Sequence, residues 1–246
     1  MSGNFELPDY LNTIFFIVLP YLALFSFFLI SILRYTRRAF TYSSLSSQFL
    51  ENKFHFWALV PFHFGILFIL FGHLVGLLFP SQVLLWNSVP LRLYILEISA
   101  FIGGIFTLVG LVNIVIRRLT DSKSRIVTSF ADWIVLTILI IQVFSGLYTA
   151  AFHSWGSSWF ATSATPYLWS IFTLAPDISF ISAMPFMVKL HIIGAYIIVF
   201  LFPFTRLVHV LVVPNPYLWR RPQVVRWNWN SKLRNNVETS VRERAK

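Results

Sequence analysis

Five stretches of this chain run for 23 residues or more with few formal charges, at about 11–33, 55–79, 92–116, 130–152 and 186–213. A helix needs roughly 20 apolar residues to cross the hydrocarbon of a bilayer, so each is long enough to span one. The stretches are too long for buried strands and lack the alternation of a lipid-facing barrel. Charged residues make up only 11% of the chain, against roughly 25% in soluble domains, so it lacks the polar surface to coat a water-soluble globule. The expected fold class is therefore all-α: a five-transmembrane-helix bundle over 1–213, followed by a basic tail over 214–246. Cysteine is absent, which excludes a disulfide framework, Cys-ligated zinc and the usual Cys-ligated iron–sulfur clusters.

The net charge of +10 follows topology. Arg34, Arg37, Arg38 and Lys53 come after the first span, and Arg117, Arg118, Lys123 and Arg125 after the third. Arg220, Arg221, Arg226, Lys232, Arg234, Arg242, Arg244 and Lys246 lie in the tail. The opposite side offers only Arg92 and Lys189, with Glu6 and Asp9 at the N-terminus. Positive-inside asymmetry then predicts N-out, C-in in the cell (cytoplasmic or inner) membrane, with the C-terminus cytoplasmic. Basic residues that track topology in this way do not point to nucleic acid. The start, MSGNFELPDY, has no basic n-region, so the first span reads as an uncleaved anchor. The outer segment 153–185 carries Trp155, Trp159 and Trp169 and is expected to hold a short amphipathic piece on the membrane. There is no internal repeat, and an odd number of spans argues against duplicated transporter halves.

Of the histidines His55, His63, His73, His153, His191 and His209, four fall well inside two spans: His63 and His73 in the second, His191 and His209 in the fifth. One imidazole in a membrane helix is ordinarily a helix–helix hydrogen-bonding group; two on each of two spans point elsewhere. The second span runs outward and the fifth inward, so depth sorts them into an outer pair, His73 with His191, and an inner pair, His63 with His209. Two imidazoles facing each other across a bundle are axial ligands for a haem iron. Two b-type haems are expected, one per pair, forming an electron path across the bilayer, with no catalytic side chain proper. Ten residues separate His63 from His73 and eighteen separate His191 from His209. At about 1.5 Å per residue these are rises of about 15 and about 27 Å. Eighteen residues make five whole turns, so His191 and His209 would share a face of one helix. The difference must be absorbed by side-chain reach, tilt, or a kink at Pro203. Gly65, Gly72, Gly76 and Gly194 flank these histidines; they either admit a flat macrocycle or pack helices in the ordinary way. Arg206 precedes His209 by one turn and either neutralises haem propionates or snorkels to the interface.

Three runs carry a resemblance: SSQFLENKFHFWALVPFHFGILFILFGHLVGLLFP, RRLTDSKSRIVTSFADWIVLTILIIQVFSGL and KLHIIGAYIIVFLFPFTRLVHVLVVPNPYLWRRPQVVR. Across roughly 10–228 the chain resembles the gamma subunit of membrane-bound respiratory nitrate reductase, a di-haem cytochrome b. The unequal histidine spacings match the pattern of that family. The resemblance implies that His63 and His209 hold the inner haem and His73 and His191 the outer one. It also implies quinol oxidation near the outer haem, in a pocket walled by Gly72 and His73. Where the family uses a lysine at the start of the third span, this sequence offers Arg92, which can orient a quinol but cannot accept its proton. The implied partners are a cytoplasmic-side iron–sulfur subunit and, beyond it, a molybdenum catalytic subunit. The tail, with Trp219, Trp227 and Trp229 among its basic residues, is expected either to dock such a partner or to touch anionic lipid. Two other readings stand beside this one: the di-haem anchor of a hydrogenase, formate dehydrogenase or sulfur-compound reductase, and a haem-free transporter or proton channel using the histidines as a relay.

Overall fold

The structure, a computed structural model, describes residues 8–37 and 55–212. The tail expected over 214–246, with its arginines and tryptophans, lies outside the described residues, as do Glu6, Arg38 and Lys53. Every regular element among the described residues is helical. In chain order they are α1 (Asp9–Arg37), α2 (His55–Leu78), α3 (Pro80–Asn87), α4 (Pro90–Thr120), α5 (Ser122–Ile126) and α6 (Phe130–Phe152), then α7 (156–172), α8 (Ser179–Ser182), α9 (Phe186–Leu201) and α10 (His209–Val212). Five are long and apolar enough to cross a bilayer: α1, α2, α4, α6, and α9 with its extension to Phe204.

Local chemistry sets the ends. Pro80 and Pro90 open α3 and α4, where a missing N–H costs nothing. Ser129 and Asp132 form a reciprocal capping box at the start of α6: the Asp132 N–H donates to Ser129 Oγ (3.2 Å), and the Ser129 N–H to Asp132 Oδ2 (2.8 Å). In α1 the helix widens to π-helical turns at Ile14–Val18 and Ser26–Ile30. Pro20 cannot donate to the carbonyl four residues back, and that carbonyl, Phe16 O, accepts from the buried Tyr167 hydroxyl at 2.8 Å.

The spans pack in series: α2 on α4, α4 on α6, α6 on α9, and α9 on α1. The α2–α4 contact is the closest. A Cβ on Gly65 would sit 2.5 Å from Thr107 Oγ1 and 2.7 Å from the Gly103 carbonyl, and one on Gly110 would overlap the Phe62 backbone. Phe62 is thus level with Gly110, Gly65 with Thr107, and Phe68 with Gly103. Two apolar clusters lie along the series. One joins α1, α7 and α9 through Phe16, Tyr167, Ile171 and Tyr196; the other joins α4 and α6 through Leu111, Leu136, Leu139 and Val143.

Two expectations change. The outer segment does more than rest on the membrane, because α7 docks into the bundle. Thr165 Oγ1 donates to Gly76 O (3.2 Å) and Trp169 Nε1 to Leu77 O (3.1 Å), satisfying carbonyls orphaned at the end of α2. The fifth span is not one helix. It breaks after Leu201 into two short 3-10 turns, Phe202–Phe204 and Arg206–Val208, separated by an extended Thr205 (φ −122, ψ 179). Pro203 denies the helix a donor and crowds the preceding turn. Carbonyls near the break find partners in α1: Phe200 O accepts from Ser26 Oγ (2.9 Å), and Pro203 O from the Arg34 guanidinium. His191 and His209 therefore do not share one helical face; the break sets the second independently of the first.

Because α2 leans on α4 through glycines, Gly110→Ala is expected to push the two apart and destabilise the detergent-solubilised protein by about 1–3 kcal/mol, read from thermal unfolding. A Gly72→Ala control, with no atom within 4 Å of the added Cβ, should leave the transition in place.

Candidate functional site: two facing imidazole pairs

The second span carries its histidines on a helix that protein barely covers. Only 11% of the α2 window is buried, against 22–28% for the other spans. Its packing is on α4, and it makes no extended contact with α9. Across the interval between α2 and the fifth span the imidazoles meet in two pairs. The rings of His63 and His209 are 6.1 Å apart between centres, with planes at 71°. Those of His73 and His191 are 6.3 Å apart, at 33°. His153 ends α6 and belongs to neither pair.

Each of the four rings has its Nδ1 tied to a main-chain carbonyl. His63 Nδ1 donates to Leu59 O (2.8 Å), His73 Nδ1 to Ile69 O (2.9 Å) and His209 Nδ1 to Arg206 O (2.7 Å). His191 Nδ1 lies 3.0 Å from Gln142 O and 3.2 Å from Ser145 Oγ. A carbonyl only accepts, so each ring carries its proton on Nδ1 and leaves Nε2 unprotonated, the nitrogen that could take a ligand; at His191 the Gln142 amide now occupies it. No group of three or more His, Cys, Asp or Glu suited to a metal forms among the described residues. A site with two protein ligands does not suit zinc, which takes three or four. It suits a metal whose remaining ligands come from a macrocycle, and a metal held about 2 Å from each of two imidazole nitrogens needs ring centres roughly 6 Å apart. The residues present fit a bis-imidazole haem at both pairs.

Sequence reading missed Gln142, Ser145 and Gly146 on α6, which build the pocket of His191. A Cβ on Gly146 would come within 2.8 Å of His191 Cε1. The Gln142 amide nitrogen lies 3.3 Å from His191 Nε2, and its buried Oε1 has no hydrogen-bond partner. The one advance signal was a neutral amide inside an apolar span, which is expensive unless it serves a partner.

The outer candidates are not all brought together. His73 is exposed and meets Phe160 of α7 edge-on, with ring centres 5.3 Å apart. Space beside Gly72 is open. Arg92 holds its guanidinium over Trp86, 5.4 Å from the ring centroid, while Trp86 Nε1 donates to Arg92 O at 3.0 Å. The α2–α4 register sets His73 level with residues 98–99, so Arg92 sits about 10 Å from that level, toward the start of α4. At the inner end Arg206 is held by protein: its Nε lies 2.7 Å from Asp132 Oδ1, and Nη2 donates to Val127 O.

A family model described as nitrate reductase gamma subunit matches residues 12–228. The chain is 36% identical over 224 residues to the respiratory nitrate reductase 2 gamma chain of Escherichia coli (strain K12), covering 89% of this chain and 98% of that one. It is 34% identical over 213 residues to the nitrate reductase gamma chain of Bacillus subtilis (strain 168), covering 85% and 95%. A nitrate reductase-like protein of Mycobacterium tuberculosis is 28% identical over 217 residues, 86% of this chain and 33% of that longer one.

If each pair holds one iron porphyrin, Gly146→Val should drive the His191 ring off its seat on α6. The variant is expected to lose the porphyrin of the His73–His191 pair and keep that of His63–His209, measured as b-type haem per polypeptide.

Proposed function

The chain belongs to the nitrate reductase gamma subunit family, and on that premise we propose that it is the membrane cytochrome b subunit of a respiratory nitrate reductase complex. It is a multi-pass membrane protein and works with other subunits of that complex. In the proposed reading it lies N-out, C-in in the cell membrane. It oxidises quinol near the outer face and delivers the electrons to a cytoplasmic-side iron–sulfur subunit, which serves a molybdenum catalytic subunit.

The observation that carries this reading is the sorting of four transmembrane histidines into two close pairs, each ring tethered through Nδ1 so that Nε2 is its unprotonated nitrogen. His63 and His209 would hold the inner haem b and His73 and His191 the outer one. Bound there, the haems would supply one-electron transfer. The tethers fix each ring and raise its basicity as a ligand, so the chain's part is to hold and orient. Arg206 contributes a cation beside the inner pair. Gly72 and His73 wall the quinol pocket, with the open space at Gly72 as the approach. Arg92 serves at the mouth of that pocket, orienting the incoming quinol without taking its proton. Quinol protons would leave on the outer side. Carrying unit negative charge inward against an inside-negative potential stores about 2.3 kcal/mol per 100 mV.

Purified protein from iron-replete cells is expected to show a sharp reduced b-type α band and two haems per chain. His73→Ala should remove one haem and stop quinol-driven reduction of the other. A colourless preparation, or two intact haems in His73→Ala, would sink the assignment. Co-purification with an iron–sulfur and a molybdenum subunit separates nitrate reduction from the other respiratory di-haem anchors.

A further inference from the structure

His209 is the one imidazole of the four with no long helix beneath it. It follows the break at Thr205 and opens the short α10, so the register of α9 does not place it. What holds its ring is a single carbonyl, Arg206 O, at 2.7 Å from Nδ1. Arg206 is in turn fixed at its far end. Its Nε is 2.7 Å from Asp132 Oδ1, and its Nη2 donates to the Val127 carbonyl in the turn before α6.

Asp132 is well placed to be such an anchor. It is buried, with 6% of its side chain exposed. Its Oδ2 accepts from the Ser129 N–H at 2.8 Å, and it sits in the first turn of α6, where the helix dipole favours a carboxylate. A second cation, Arg118, stands 3.8 Å from Oδ2 and donates to Thr128 Oγ1 at 2.7 Å. The carboxylate is therefore rigid before Arg206 reaches it, and the guanidinium gains a fixed partner from an element that carries no ligand.

We propose that Asp132 is a positioning residue for the inner imidazole pair: through Arg206 it holds the 3-10 turn whose carbonyl orients His209. The inference rests on the haem reading above, and it assigns to α6 a part in both sites. Gln142 and Ser145 seat His191 at the outer pair, and Asp132 seats His209 at the inner one. Arg206 then acts from both ends, its main chain on the ligand and its side chain on the anchor.

The test is a redox titration of the assembled complex, followed by low-temperature EPR of the low-spin ferric signals, comparing wild type with Asp132→Asn. The amide keeps the shape and the capping acceptor, but it drops the charge and turns an NH2 donor toward Arg206 Nε. Two haems are expected to remain, with the signal of one shifted and its midpoint potential raised, because loss of a nearby negative charge favours the reduced iron. The haem lost in His73→Ala should be the one that does not move. Signals and potentials unchanged at both haems, or displaced equally at both, would overturn the proposal. Should Asp132→Asn fail to accumulate, Arg206→Lys keeps the charge but cannot reach both Asp132 and Val127 O. It should shift the same single signal, and an unmoved spectrum there overturns the proposal as well. A wild type without haem overturns the parent reading and this one with it, whereas a two-haem wild type with an indifferent Asp132→Asn overturns this one alone.

Discussion

Hydrocarbon offers no hydrogen-bond partner, and the need to pair main-chain carbonyls internally shapes this bundle from its helix ends to its imidazoles. Pro20 leaves a carbonyl free in α1, and Tyr167 comes from a distant helix to meet it. The end of α2 leaves two more, and Thr165 and Trp169 take them. The break at Pro203 is tolerated because α1 supplies Ser26 and Arg34 to neighbouring carbonyls. In these three places the element that breaks the pattern is paired with one that repairs it. The same economy sets the histidine tautomers: a carbonyl takes the Nδ1 proton, and Nε2 is what remains for chemistry.

That demand also explains why the site lies between helices that do not pack together. Glycines let α2 approach α4 closely, while the interval between α2 and the fifth span is crossed by the imidazole pairs. The two spans carry their ligands at unequal separations along the sequence. The chain reconciles them by ending α9 at Leu201 and restarting at Arg206, so each ligand is seated by its own local contact.

The five crossings were legible because the lipid requirement acts on composition over some 20 residues, a scale that a sequence displays openly. The pairing of histidines was legible for a related reason: topology converts position along a span into depth. What stayed hidden depends on contacts between distant segments. The capping of α2 by α7 needs Thr165 and Trp169 to meet Gly76 and Leu77, and nothing local in 153–185 announces it. Pro203 hinted at a kink, but the extended Thr205 and the two 3-10 turns around it carry no local signal. Arg206 read equally well as a propionate partner or a snorkelling cation, because Asp132, which engages it, lies on another helix. Arg92 was assigned to the quinol site by resemblance, as the residue standing where the family has a lysine at the start of the third span, and helix register puts it about two turns from the level of His73.

The one-sided seating of α2 has a mechanical corollary. Peeling this helix away disrupts principally one interface, the face it shares with α4, whereas displacing α6 or α9 would disrupt two at once. A swing of α2 away from the fifth span would have to carry α4 with it, or break the glycine-seated contact and the two hydrogen bonds from α7. His63 and His73 ride on that single rigid rod, so such a swing would part both imidazole pairs together rather than one after the other.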